Sequence, residues 1–241
     1  LKAIILSGGS GLRGRPFTKF IPKAMIPCNG KPAIYYIVKH IIHFKLIDEI
    51  IIITNLRGLG GQIYNYFHNT KYEERITFIQ DSQKGTAGDL NCVSKEKISN
   101  PFVLWFADNL CAIDIHKMKS CFDKTNSYVC IATSNKKQEK TGFAKLENNM
   151  IKQFEEKPLM KLQLEECLGI YIMNRDVLDM THKLMWKDNI NLSYDVLQKL
   201  VKCKNISSFN IENQQWIDVE SPAMVAYNTE LVTTVTKLME H

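Results

Sequence analysis

Short apolar runs alternate with segments of helical periodicity along most of this chain, which is how a mostly parallel sheet flanked by helices reads from sequence. Ala3-Ile4-Ile5-Leu6 predicts a first buried strand, residues 49–54 with four consecutive isoleucines a second, 76–80 a third and 102–108 a fourth. Between them, residues 34–46, 62–67 and 87–97 predict helices, the first with Pro32 suited to its opening turn. From about Thr141 the pattern becomes strict alternation in Phe143-Ala144-Lys145-Leu146-Glu147, then Asn148-Asn149 and residues 151–155, a hairpin expected to cover part of a site. Residues 167–173 return as a buried strand, 175–186 and 193–202 as helices, and the stretch from Ser221 as helix with Pro222 in its first turn. The expected fold class is α/β: a Rossmann-like mixed, mostly parallel sheet flanked by helices, with a β-hairpin excursion over the site.

The chain has 241 residues, 45% of them hydrophobic, enough to bury a substantial core in one large domain or two small ones. Its net charge of +6 is spread out, with no run of five or six like charges, so a nucleic-acid tail or polybasic membrane patch is not supported. Small anionic substrates suit that charge. The seven cysteines, Cys28, Cys92, Cys111, Cys121, Cys130, Cys167 and Cys203, are scattered and never form a C-x-x-C pair, which points to a reducing compartment and away from structural zinc. Without a long apolar span or a secretion signal, the expectation is a cytoplasmic protein.

The first strand runs directly into Ser7-Gly8-Gly9-Ser10-Gly11-Leu12-Arg13-Gly14-Arg15-Pro16, where glycines let backbone N–H groups approach a ligand phosphate. Gly9-x-Gly11-x-x-Gly14 formally matches the dinucleotide fingerprint. That fingerprint needs a helix to begin inside it and an acid some distance on to hold ribose. Here Pro16, Pro22 and Pro27 keep the chain in loop conformation, and no acidic residue occurs before Asp48. Arg13, Arg15, Lys19, Lys23 and Lys31 instead make the segment cationic, as a triphosphate site requires.

Gly8-Gly9-x-Gly11-x-Arg13-x-x-Pro16-x-Thr18, followed by Pro22-Lys23, resembles the signature of the sugar-1-phosphate nucleotidylyltransferases, the family of glucose-1-phosphate thymidylyl- and uridylyltransferases and mannose-1-phosphate guanylyltransferases. The resemblance continues through Gln80, Gly85-Thr86-Ala87, Asp108-Asn109, Glu155-Glu156-Lys157-Pro158, Gly169-x-Tyr171 and Trp216-x-Asp218. It implies one catalytic domain over residues 1–241, with a nucleotide-binding half to about 110 and a sugar-binding half beyond. The implied reaction moves a nucleoside monophosphate from an NTP to a sugar 1-phosphate, giving an NDP-sugar and pyrophosphate. The implied partners are those two substrates, neither nucleic acid nor membrane, with a homo-oligomer as the expected assembly.

Arg13, Lys23 and Asp108 then become the catalytic residues, and Asp108 with Asp218 the carboxylates that hold one Mg²⁺. Leu6, Ser7, Gly8, Gly9, Gly11, Gln80, Gly85 and Thr86 take the nucleotide, with Gln80 and Gly85 at the base. Glu156 is placed on sugar hydroxyls, Lys157 on the sugar phosphate and Gly169 beside the sugar ring. Outside that context either Asp is equally a cap or turn residue, E-E-K-P an exposed charged turn, and Gly169 a strand bulge.

The pattern departs from the family at Leu12, Gly14 and Ala24, the last standing where many thymidylyltransferases carry Gln, and Glu220-Ser221 replaces the usual Gly-Thr. No β-helix extension is expected. The alternatives are CTP-dependent transfer to a non-sugar phosphate such as phosphocholine, or a non-catalytic regulatory relative that binds nucleotide sugars. A glycosyltransferase would need an Asp-x-Asp metal motif, which Asp108-Asn109-Leu110 does not supply.

Overall fold

The computed structural model describes residues 1–9, 11–139 and 141–240; Ser10 of the glycine loop therefore lies outside the described residues. In chain order the elements are β1 (Lys2–Leu6), β2 (Pro27–Cys28), β3 (Lys31–Pro32), α1 (Ala33–His43), β4 (Glu49–Thr54), α2 (Gly61–Phe67), β5 (Ile76–Gln80), α3 (Thr86–Leu90), β6 (Phe102–Phe106), β7 (Asn109–Cys111) and α4 (Ile115–Lys124). They continue with β8 (Val129–Gln138), β9 (Gly142–Glu147), β10 (Met150–Glu156), β11 (Leu159–Met173), α5 (Val177–His182), α6 (Gln198–Cys203), β12 (Ile206–Asn210), β13 (Trp216–Asp218), α7 (Pro222–Tyr227) and α8 (Thr229–Met239). A π-helical turn, Leu192–Leu197, leads into α6.

Seven strands form one sheet in the order β12-β8-β11-β6-β1-β4-β5. β6, β1, β4 and β5 run parallel, β12 runs parallel to β8, and β11 is antiparallel to both its neighbours. Residue alternation along β1 explains the two covered faces. Ala3 and Ile5 join a core with α1, α4 and α8, whereas Ile4 and Leu6 join a second core with α3, α5 and α6. The chain leaves β1 for β4 and β5 on one side, then crosses to β6 on the other. A crevice therefore opens at the carboxyl ends of β1 and β6, where open α/β sheets collect ligands.

Several predicted boundaries shift. The strand expected over 102–108 ends at Phe106, because Asn109–Cys111 pairs with β13 in a separate small sheet and Trp105 Nε1 donates to the Asn109 carbonyl at 2.8 Å. Ala107 and Asp108 form the turn between. The helix expected over 87–97 stops at Leu90, where Asn91 accepts from the Thr181 hydroxyl at 2.8 Å, and Lys95–Lys97 is a separate 3-10 turn. The C-terminal helix is divided at Asn228, with Ser221 accepting from the Met224 N–H at 3.2 Å and Pro222 in the first turn.

The predicted hairpin forms as β9 and β10, with Asn148 and Asn149 at φ 50 and φ 63 in its turn. Every residue of both strands is exposed. All seven cysteines are free. Among the described residues no helix is long and apolar enough to cross a membrane.

Candidate active site

The loops that follow β1 and β6 are tied together at their roots. Ala107 N donates to the Leu6 carbonyl at 3.0 Å, and Ser7 N donates to Ile53 of β4 at 2.9 Å. Beyond Ser7 the chain passes through 3-10 turns at Leu12–Gly14, Phe17–Lys19 and Lys23–Met25, and among the described residues no α-helix starts on the glycines. This excludes the dinucleotide arrangement and leaves a loop wrapped over the carboxyl end of β1. Thr18 braces it, its hydroxyl donating to the Gly11 carbonyl at 2.6 Å.

The resulting cleft is lined by Leu6, Ser7, Gly8, Gly9, Lys23, Ala24, Thr86, Asp89, Phe106, Ala107 and Asp108. Gly11, Thr18 and Pro22 line an adjoining depression that shares Ser7, Gly8, Gly9 and Lys23 with it. Six of the eight expected nucleotide residues thus gather here: Leu6, Ser7, Gly8, Gly9, Gly11 and Thr86. Gln80 and Gly85 do not line it. Gln80 Nε2 donates to Asp81 Oδ1 at 2.6 Å and its Oε1 accepts from the Arg57 N–H at 3.1 Å, while Gly85 precedes α3 at φ +82 against Asn189 and Ile190.

At the mouth of the cleft the Lys23 ammonium lies 2.5 Å from Asp108 Oδ2 and 3.3 Å from Asp218 Oδ1. Pairing of β13 with β7 sets Asp218 opposite Asn109, so two carboxylates remote in sequence meet. Val219 N donates to the Asp108 carbonyl at 2.7 Å, and Asn109 Nδ2 to the second Asp108 oxygen at 3.2 Å. Asn109 therefore orients Asp108, a role the motif alone does not reveal. The Asp218 carboxyl is pushed up to about 6, chiefly by burial and then by the Asp108 charge, with Lys23 opposing.

This pair fits Mg²⁺. Two hard carboxylates already converge on one cation, the Lys23 ammonium. Mg²⁺ suits such a site because it binds through one or two carboxylates and takes its other ligands from substrate phosphates and water.

Other expected residues are less concentrated. Arg13 is outside the cleft lining, 69% exposed in its side chain, and ion-paired to Glu220 just beyond β13. Glu220, singled out above only as a departure from the family pattern, thus holds a residue of the glycine loop. Lys157 faces a cavity that it shares with Gln138, Glu220, Ser221 and Tyr227, whereas Glu156 stays on the exposed hairpin. Gly169 sits at φ +67 where the register of β11 against β8 shifts, and a Cβ there would stand 2.6 Å from Asn109 Nδ2. It allows β11 to approach the Asp108 turn closely.

Two acids at the back of the glycine loop, of which only Asp89 lines the cleft, carry no motif signature. Asp81 and Asp89 are buried behind Gly8, where a Cβ would lie 2.7 Å from Asp81 Oδ2 and 3.2 Å from Asp89 Oδ2. Gly8→Ala is accordingly expected to overpack this wall of the cleft and lower stability by about 1–3 kcal/mol, measured by urea denaturation; unchanged stability would contradict the close approach.

The chain matches the protein-family model described as Nucleotidyl transferase over residues 2–228. A mannose-1-phosphate guanyltransferase of Debaryomyces hansenii is 26% identical over 244 residues, covering 97% of this chain and 65% of the relative, so the chain spans a little under two thirds of that protein. In three dimensions it is similar to a Bacillus anthracis protein assigned as a glucose-1-phosphate thymidylyltransferase and solved with sucrose, at TM-score 0.75 and 22% identity over 96% of this chain and 94% of that one. It is likewise similar to the inositol-1-phosphate CTP transferase from T. maritima, at TM-score 0.69 and 22% identity over 97% and 95%. With a glycine loop, a lysine and two carboxylates gathered at the carboxyl ends of the strands, and a family match from the first strand through α7, the chain belongs to the nucleotidyl transferase family.

Proposed function

We propose that this protein transfers a nucleoside monophosphate from an NTP to a sugar 1-phosphate, with Mg²⁺, releasing pyrophosphate. The observation that carries this reading is the convergence of Lys23, Asp108 and Asp218 at the foot of the glycine loop. A phosphate oxygen of the acceptor attacks the α-phosphorus, forming the new P–O bond as the bond to the departing pyrophosphate breaks. Because both reactants are anionic, the protein's task is charge neutralisation and alignment.

The backbone of Ser7, Gly8, Gly9 and Gly11 cradles phosphates, and Lys23 moves from its carboxylates onto them. Asp108 and Asp218 would hold the metal, which when bound offsets charge on the phosphate oxygens. Residues to about 110 handle the nucleotide; Lys157, Asp218 and Glu220 bring in the acceptor side. Arg13 must exchange Glu220 for the triphosphate. Since an exposed ion pair is worth little, Glu220→Gln should lower the KM for the NTP by about two- to fivefold, and an increase would contradict a latch.

The name of the D. hansenii relative supports a sugar phosphate as acceptor. A cationic non-sugar phosphate such as phosphocholine is the second reading. Its support is a cavity lined by Trp216, Asp218, Glu220, Lys137 and Glu166, in which Glu166 Oε1 faces Lys137 at 3.8 Å while its Oε2 is buried without a hydrogen-bond partner among the described residues. Pyrophosphate release measured with ATP, CTP, GTP, UTP and dTTP against several sugar 1-phosphates and phosphocholine separates the two. Release that needs both substrates and is lost in Asp108→Ala supports transfer; turnover with phosphocholine alone replaces the sugar reading, and silence with folded protein removes both.

A further inference from the structure

We propose that Cys121 and Cys130 form a dithiol modification site, which a peroxide converts to an intrachain disulfide tying α4 to the sheet. Alternation along β8 turns Cys130 into the core shared with α1, α4 and α8, where it is fully buried. Ile115, Met118 and Phe122 make the buried stripe of α4 over that face, and Cys121 stands on its border, half-buried and packed against the same core. The Cys121 thiol donates to the Ser208 carbonyl of β12 at 3.6 Å, which places it above the seam between β12 and β8. Ser207, the residue before that carbonyl, is the ladder partner of Cys130. The helix thus brings its thiol down beside the one sheet position of this seam that carries another, and the two side chains are in contact. Neither lines the cleft.

Access sets the order of events. Cys121 is the thiol that solvent reaches, so a peroxide meets it first. Its sulfur attacks the O–O bond of hydrogen peroxide, giving a sulfenic acid and one water. Cys130 then attacks the Cys121 sulfur: the S–S bond forms, the S–O bond breaks, and the hydroxyl leaves with the Cys130 proton as a second water. The two thiols lose two electrons and two protons, and the peroxide is reduced to two waters. Burial pushes the Cys130 thiol up to about 12, so it is inert toward peroxide itself, and the second step draws on contact with Cys121. The Ser207 hydroxyl, buried without a hydrogen-bond partner among the described residues, stands beside Cys130 and favours its thiolate. Closing the disulfide also spares Cys121 the irreversible sulfinic stage.

The test treats the intact chain with a small excess of hydrogen peroxide, alkylates the remaining thiols with iodoacetamide in denaturant, and maps the peptides by mass spectrometry. The expected product is one cross-link joining Cys121 to Cys130, released by dithiothreitol, with the other cysteines alkylated. Phenylarsine oxide, which bridges two thiols held together, should protect the same pair without any oxidant. In Cys130→Ser the sulfenic acid is stranded, so dimedone labelling of Cys121 should rise about tenfold or more over the parent. In Cys121→Ser, Cys130 should remain fully alkylatable after peroxide. If Cys130→Ser does not fold, the parent map and the arsenical decide. The assignment is overturned if Cys121 stays a thiol, if it ends as a dimedone adduct or sulfinic acid with Cys130 free, if either residue pairs with another cysteine, or if dimedone labels the parent and folded Cys130→Ser equally.

Discussion

Replacing Lys23 with methionine is expected to lower kcat for pyrophosphate release by about 10²–10³-fold while the acceptor KM stays within about threefold. The Lys23 side chain is only 15% exposed, and its ammonium is the cation that this site places between Asp108 and Asp218. In a partly dry cleft a positive charge is worth far more to a developing oxyanion than in water. Methionine keeps much of the length and packing of the stem, so the loss reports the charge. Steady-state kinetics at saturating NTP measures it. A rise in acceptor KM with kcat unchanged would make Lys23 a binding residue alone.

Asp218→Asn should remove a pH-dependent loss of stability from the metal-free protein. The sign follows from its raised value, about 6 against an ordinary 3.8. Below about pH 4 the carboxyl is protonated in the folded and unfolded chains alike, and nothing is lost. Between pH 4 and 6 the unfolded chain releases the proton first, so stability falls as pH rises; above 6 both are ionised and the loss is complete. With the side chain 30% exposed, the asparagine variant should gain about 1 kcal/mol at pH 8 in chelator and little at pH 4. Added Mg²⁺ should stabilise the parent protein at pH 8 and the variant much less. Urea denaturation across pH checks this; a parent curve whose stability rises from pH 4 to 6 at this site, or equal Mg²⁺ stabilisation of both proteins, would contradict the paired-carboxylate account.

The parallel half of the sheet was legible because buried strands are nearly uninterrupted apolar runs: β4 and β5 fall where the isoleucine run and residues 76–80 predict them. β8 and β12 were not, since Val129–Gln138 becomes polar halfway along and Ile206–Asn210 is a polar edge strand beside it. α3 was overextended because its stop is tertiary, set by Thr181 ninety residues away in sequence. Of the site, the glycine loop, Lys23, Asp108 and Asp218 were readable as motif residues. That Asp218 meets the others depends on the pairing of β7 with β13, which local pattern does not specify. Asp81 and Asp89 belong to no motif; their signal is that two acids flank Gly85-Thr86-Ala87 while the facing Gly8 leaves room for them. Glu220 looked like a substitution, and the Arg13 contact supplies its partner.

The most direct test of nucleotidyl transfer is ³¹P NMR of the protein incubated with Mg²⁺, GTP and a sugar 1-phosphate. The account predicts a pair of coupled diphosphate resonances joining the nucleotide α-phosphate to the sugar phosphate, together with free pyrophosphate, both absent in Asp108→Ala. Conversion of GTP to GMP and pyrophosphate with the sugar phosphate resonance untouched would contradict it, because the α-phosphorus would then be attacked by water and the chain would be a hydrolase.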